Sequence, residues 1–264
     1  MFHFDAAKTF ARLAPVAAFA ACLAGAAPAA AAEYFLASGT MNTSRTAHIN
    51  GPDGFHEYVY LGPIEFTAYE GVSATGPAFE FLGFCVDIFH NIGLGKLNLK
   101  YDDSYELTTN SQYTTNVPFQ GGAALSADQR AQVGRLVNYG VLLHENAPNN
   151  ADTVNRLAAL QGAIWQVINP GYTVTTSNAA VNNYIAAYSG ADYQANLTGY
   201  GPVRTNITFI TETGKYGTAS AHQAFATAAV PEPATWALMI GGFAMTGALL
   251  RQARRRGAPA VVRA

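Results

Sequence analysis

Near its C-terminus the chain carries an uncharged apolar run, Ala234 to Leu250, preceded by Pro231-Glu232-Pro233 and followed by Arg251 and Arg254-Arg255-Arg256. Wound as a helix at ~1.5 Å per residue, a run of about 17 residues reaches about 25 Å, near the lower limit for crossing the hydrocarbon core of a bilayer. Arginines directly behind it favour the cytoplasmic side, so everything before Pro231 is expected outside. The other terminus points the same way. Lys8 and Arg12 precede an apolar run from Leu13 to Leu23, and Ala30-Ala31-Ala32 before Glu33 supplies the small residues at which a secretory leader is cut. Cys22 lies inside that run after Phe19-Ala20-Ala21, a poor lipid-attachment site because a branched aliphatic residue belongs where Phe19 stands. The fold is thereby confined to roughly 200 residues, enough for one sizeable domain or two small ones.

Composition narrows what that domain does. Half the residues are hydrophobic and 12% are charged, with a net charge of −2, which leaves no basic footprint for nucleic acid and no acidic tail. With 25 Gly and 14 Tyr, and with Asn, Thr and Ser in the connecting segments, it reads as a strand-rich domain with a neutral, hydrogen-bonding exterior. There is no repeat of fixed period, no Gly-rich phosphate loop, no His-Glu-x-x-His and no His, Cys and carboxylate cluster at metal-ligand spacing. Neither a cofactor nor a metal is expected.

Segments 34–39, 57–60, 63–69, 78–89, 96–101 and 105–109 are rich in aromatic and β-branched residues and separated by Gly, Pro, Asn or Asp, which predicts short strands. The period then changes. Ser126-Ala127-Asp128-Gln129 has the form of a capping box opening a helix to about Glu145, and Asp152 is the expected cap of a second helix that Pro170-Gly171 ends. A third, weaker helix covers Asn178 to Tyr188. From Val203 to Glu212 the pattern returns to strand, with Thr205, Ile207, Phe209 and Thr211 alternating against Asn206, Thr208 and Ile210.

Without its leader the exported chain retains one cysteine, Cys85, in a compartment where thiols oxidise. It is a buried inert thiol, or it pairs with another chain, or it is bonded to something other than cysteine. In Phe84-Cys85-Val86-Asp87-Ile88-Phe89 a period of two sets Cys85 and Asp87 on one face and Phe84, Val86 and Ile88 on the other. The second helix holds the other informative residue. Val154, Leu157, Ala158, Ile164, Trp165 and Ile168 form one apolar stripe, with Asn155, Arg156 and Gln166 outside it and Gln161 in its middle. A carboxamide facing a core needs partners, because a buried unpaired polar group costs about 1–3 kcal/mol. A hydrogen-bonded core glutamine is the plainest account of that.

Two resemblances sharpen these readings. Pro231, Glu232, Pro233, Trp236, Ala237 and the arginines Arg254, Arg255 and Arg256 resemble the PEP-CTERM sorting signal of Gram-negative bacteria. That resemblance implies recognition by an exosortase, cleavage near the Pro-Glu-Pro, transit at the outer face of the inner membrane, and delivery to the cell surface or an extracellular polysaccharide matrix such as a biofilm; a plain membrane anchor is the alternative. Phe84-Cys85-Val86-Asp87 with Leu160-Gln161-Gly162-Ala163-Ile164-Trp165 is similar to the paired motifs of bacterial surface thioester domains. There the cysteine sulfur and the glutamine side-chain carbonyl are joined as an internal thioester, which implies Cys85 as the thiol and Gln161 as the acyl donor, with Asp87 and Trp165 in support. The likeness spans about 34–212, but its specific motifs amount to some ten residues.

The expected fold class is α+β, a strand-rich β-sandwich or barrel with an inserted helical subdomain, plus an N-terminal signal peptide and one C-terminal transmembrane helix. The division is signal peptide over 1–32, thioester-like surface domain over 33–212, linker over 213–229 and sorting signal over 230–256. The expected function is that of an adhesin: a protein amine or a polysaccharide hydroxyl attacks the Gln161 carbonyl once, releasing Cys85, so the chain is not a turnover enzyme. Its partners are then signal peptidase and exosortase for processing, the membrane before cleavage, and that covalent target. A non-covalent structural or carbohydrate-binding matrix protein with a free Cys85 is the alternative, and a Cys85-dependent hydrolase using His90 or His144 as base is a third reading. Asp87 reads more simply as an exposed strand carboxylate, Asp102-Asp103-Ser104 as a turn and not a calcium loop, and the tyrosines as sheet residues as readily as sugar-stacking ones. No regular Thr array suggests ice binding.

Overall fold

The computed structural model describes residues 33–71, 73–90, 105–109, 125–212, 222–228, 241–249 and 251. Among the described residues, two sheets and three helices, with a further helical stretch at 241–249, make an α+β fold. The strands in chain order are β1 (Glu33–Thr40), β2 (Arg45–Asn50), β3 (His56–Leu61), β4 (Ile64–Glu70), β5 (Ala78–Cys85), β6 (Tyr105–Thr109), β7 (Thr173–Thr175), β8 (Ile207–Glu212) and β9 (Phe225–Ala228). Six of them close a barrel in the order β1-β4-β5-β9-β8-β6, with β6 returning to β1 through Tyr34↔Tyr105. Closure satisfies the strand edges without a partner chain. The other three form a small sheet, β3-β2-β7. Of the two architectures open from the sequence, barrel is the one adopted.

Alternation writes both sheets. In β4, Ile64, Phe66 and Ala68 are buried between partly exposed Glu65, Thr67 and Tyr69. In β2, Ala47 and Ile49 turn inward and Thr46 and His48 outward. The helices α1 (Ala127–Asn146), α2 (Ala151–Ile168) and α3 (Ala179–Ser189) fall between β6 and β8 in the chain, as an insertion into the barrel. The expected capping box is present in full on α1, with Ser126 and Gln129 exchanging bonds with each other's backbone N–H.

Two glycines let α1 lie directly on the barrel. A Cβ on Gly140 would stand 2.3 Å from Phe84 Cζ, and one on Gly134 would stand 2.0 Å from the Thr205 carbonyl oxygen. Phe84 therefore points outward to α1, and its neighbour Cys85 points to the opposite side of the barrel wall. Helix α2 is buried over most of its circumference, from Leu157 to Trp165 without interruption, and packs against α1, α3 and the small sheet. At its edge the Arg156 guanidinium bonds the Tyr188 hydroxyl at 3.2 Å and also the Tyr139 hydroxyl, and stacks near Tyr184 and Tyr200, tying α1, α2 and α3 together.

Several expectations are corrected. The strand expected over 78–89 stops at Cys85. Asn150, not Asp152, caps α2, its Oδ1 accepting from Thr153 N at 3.0 Å, while Asp152 accepts from the Tyr184 hydroxyl. Residues 203–206 are not strand. The segment read as a linker, 213–229, contributes β9, hydrogen-bonded on both sides by β5 and β8; Phe225-Ala226-Thr227-Ala228 is too short and too small to announce itself. The strand expected over 96–101, the signal peptide and Pro231 to Trp236 lie outside the described residues, as do Arg254, Arg255 and Arg256. Residues 241–249 are helical, but among the described residues no helix is long and apolar enough to cross a membrane.

Gly134→Ala is expected to lower stability by about 1–3 kcal/mol, because its methyl meets a backbone carbonyl that cannot step aside. Thermal unfolding of the variant beside wild type checks this, a melting temperature unchanged by the substitution being the contrary result.

Candidate functional site

The last residue of β5 and the middle of α2 meet although 76 residues separate them. Val86 N donates to the Ala224 carbonyl at 2.9 Å, on the β9 side, so the main-chain groups of Cys85 face the other edge. There β4 starts only at Ile64, whose partner is Gly83, and Cys85 has no strand beside it. Gln161 fills the gap. Its Oε1 accepts from Cys85 N at 2.9 Å and its Nε2 donates to Cys85 O at 2.6 Å. The side-chain amide thus occupies the place of the next residue of β4, and both partners are buried, Gln161 completely and Cys85 with 4% exposure.

That arrangement orients the two groups chemically. An amide bonded to the N–H and C=O of one residue lies close to the plane of the sheet, whereas the Cβ of that residue leaves the plane. The Cys85 side chain therefore leaves the plane in which its backbone holds the carboxamide. Burial pushes the Cys85 thiol well above the usual thiol range, the Asp87 carboxylate pushes it further, and a backbone hydrogen bond only partly opposes them. At neutral pH the isolated side chain is a protonated thiol, in no disulfide.

Asp87 is not an exposed strand carboxylate: it is 2% exposed. Once β5 ends, the chain turns inward, with Asp87 Oδ1 accepting from Phe89 N at 2.8 Å and Gln223 Nε2 donating to the Asp87 carbonyl at 2.8 Å. Asp87 Oδ2 pairs with Nδ1 of His90, itself buried. A buried carboxylate–imidazole pair thus begins two residues beyond the thiol, which the alternating pattern of 84–89 did not reveal because the period of two ends with the strand. His144 goes elsewhere, lying 3.6 Å from Glu65. Trp165 is buried one turn after Gln161, and its indole N–H has no acceptor.

An open cleft of about 510 Å³ lies between α1 and the outer face of the barrel, lined in part by Glu65, Glu80, His144 and Glu145. Neither Cys85 nor Gln161 lines it, and both are buried. Among the described residues no group of three or more His, Cys, Asp and Glu is placed to hold a metal ion. Asp102, Asp103 and Ser104 fall outside the described residues. The chain matches no known protein family, no curated protein and no solved structure.

Replacing Gln161 by Leu removes both partners of the Cys85 main chain at once. With each unpaired buried group costing about 1–3 kcal/mol, the expected loss is about 2–6 kcal/mol. Urea unfolding with an unchanged slope and a lowered midpoint is the expected result, and a midpoint within error of wild type would contradict it.

Proposed function

We propose that this chain is an exported surface or matrix protein that carries an internal thioester between Cys85 Sγ and the Gln161 carbonyl carbon and uses it for a single covalent attachment. The observation that carries this reading is the grip of the Cys85 N–H and C=O on the Gln161 carboxamide inside a closed core. Attack of the thiol on an unactivated amide is negligible between free molecules. A pair fixed by two hydrogen bonds reacts at an effective molarity of ~10⁵ M or more, which offsets a large part of that barrier. Burial then keeps water from the thioester until a partner arrives. An amine on a surface protein, or a hydroxyl of a polysaccharide, forms the amide or ester and returns Cys85 as a thiol. One molecule makes one bond, so the activity is acyl transfer without turnover, that of a covalent adhesin. Address and processing rest on the two terminal segments: signal peptidase acts before Glu33, and an exosortase acts at the Pro-Glu-Pro.

A second reading is favoured by a different surface. On the outer side of the small sheet Tyr58 and Tyr60 are 59% and 58% exposed beside the stacked imidazoles of His48 and His56. Rings presented in this way suit stacking on sugars, and the two bonds of Gln161 equally suit a core glutamine. In that reading the protein holds a polysaccharide without a covalent bond and Cys85 stays free.

Intact mass separates the two. The exported protein is expected one ammonia lighter than its sequence, to gain one methylamine when treated with it, and to do neither as Cys85→Ala. Full sequence mass with an alkylatable Cys85 after denaturation would remove the thioester reading and leave the second. The same spectra should place the mature ends near Glu33 and Pro231; a retained arginine tail would contradict exosortase processing.

A further inference from the structure

Away from Cys85, the small sheet leaves rings in water that a fold alone does not require. Among the described residues the large hydrophobic side chains left exposed are Tyr58, Tyr60, Phe243, Met245 and Leu249, so outside 241–249 they sit together on one strand. The register shows what surrounds them. Tyr60 pairs with Thr46, Tyr58 with His48 and His56 with Asn50, and across β2 His48 pairs with Thr175 and Asn50 with Thr173. These side chains share the outer face, because Ala47, Ile49 and Val174, which alternate with them, are buried. The rings crowd β3 and the middle of β2, and the hydroxyl and amide groups of Thr46, Asn50, Thr173 and Thr175 border them.

We infer that the outer face of β3-β2-β7 binds a single chain of an uncharged polysaccharide, Tyr58 and Tyr60 stacking on its sugar rings and Thr46, Asn50, Thr173 and Thr175 taking its hydroxyls; this rests on the surface of the second reading above and not on the state of Cys85. Charge points to the class of ligand. The charged residues of the three strands, Arg45 and Glu57, fall on the other parity, so these strands present no carboxylate, ammonium or guanidinium on this face. The face is also ill matched to an apolar protein surface, since its strand residues include no Leu, Ile, Val or Met. A pyranose offers C–H faces rimmed by hydroxyls, and rings bordered by hydroxyl and amide groups complement it.

Ring geometry selects the form of that ligand. The planes of Tyr58 and Tyr60 cross at 72° with centroids 6.3 Å apart, and His48 meets Tyr58 at 63° and 5.3 Å. Such a stepped surface offers faces and edges by turns, which suits one puckered chain and not the flat side of a crystalline fibre. The imidazoles are held in place: His48 and His56 stack at 4.9 Å and 16°, and His56 Nδ1 meets Asn50 Oδ1 at 2.6 Å. Beneath the face the sheet is seated on α2, where a Cβ on Gly162 would stand 3.3 Å from Val174 Cγ1 and Arg45 Nε donates to Asn155 Oδ1 at 2.9 Å. Groups ordered before a ligand arrives lose less freedom when it binds.

Affinity electrophoresis of the full exported chain tests this in native gels containing hydroxyethyl cellulose, galactomannan, dextran or, as the charged probe, polygalacturonate. Wild type, Cys85→Ala and the double variants Tyr58→Ala/Tyr60→Ala and Tyr58→Phe/Tyr60→Phe are compared, each first shown to be folded by thermal unfolding. The expected result is retardation of wild type by at least one uncharged polysaccharide, with Kd raised about tenfold in the Ala variant and within about threefold of wild type in the Phe variant and in Cys85→Ala. Equal retardation of the folded Ala variant overturns the site and leaves a polysaccharide bound elsewhere. Retardation by polygalacturonate alone overturns the uncharged class. A wild type that no polysaccharide retards overturns the site and the second reading together; if that chain elutes as a dimer on gel filtration and the Ala variant as a monomer, the face belongs to a second copy.

Discussion

The fold turns on a side chain that takes the place of a strand. β5 outruns β4 by two residues, which leaves the N–H and C=O of Cys85 at an edge inside the protein, where water cannot satisfy them. Gln161 supplies both missing partners from α2. The barrel and the helical insertion are therefore joined by hydrogen bonds as well as by apolar packing. Because the carboxamide has to meet a donor and an acceptor of one residue together, the rotation of α2 about its axis is set to within a hydrogen-bond tolerance. The same grip brings the Gln161 carboxamide to the backbone of the residue that carries the thiol.

Around that contact the electrostatics are conservative. Burial keeps the Cys85 thiol protonated, and the nearby Asp87 reinforces this, so the sulfur is guarded against oxidation. Asp87 is in turn paired with the buried His90. The tight seating of α1 on the barrel through Gly134 and Gly140 fixes the outward face of the wall that carries Cys85. Stability and chemical restraint thus arise from the same exclusion of water.

Much of the architecture is legible in the chain. The capping box of α1, the stripe of α2, the helix beginning at Asn178 and the alternation of β4 depend on neighbours within one or two turns, and their patterns survive in the sequence. What escaped were short elements that distant strands hold in place. β7 has three residues and pairs with β2 alone, and β9 has four and lies between β5 and β8. The capping of α2 by Asn150 was hidden for another reason, since Asn150 and Asp152 are both competent caps two residues apart.

At the site, the sequence by itself determined that Cys85 stands on a strand and that a glutamine lies in the apolar stripe of a helix, because both follow from local period and composition. It marked Asp87 as the thiol's neighbour but not its burial or its pairing with His90. Only the tertiary structure decided that the Gln161 amide seats on the backbone of Cys85 and that Asp87 turns inward to meet the imidazole. The physical reason is register: where one strand ends relative to its neighbour, and how the chain turns once its ladder stops, are settled by contacts between distant segments that no local pattern encodes.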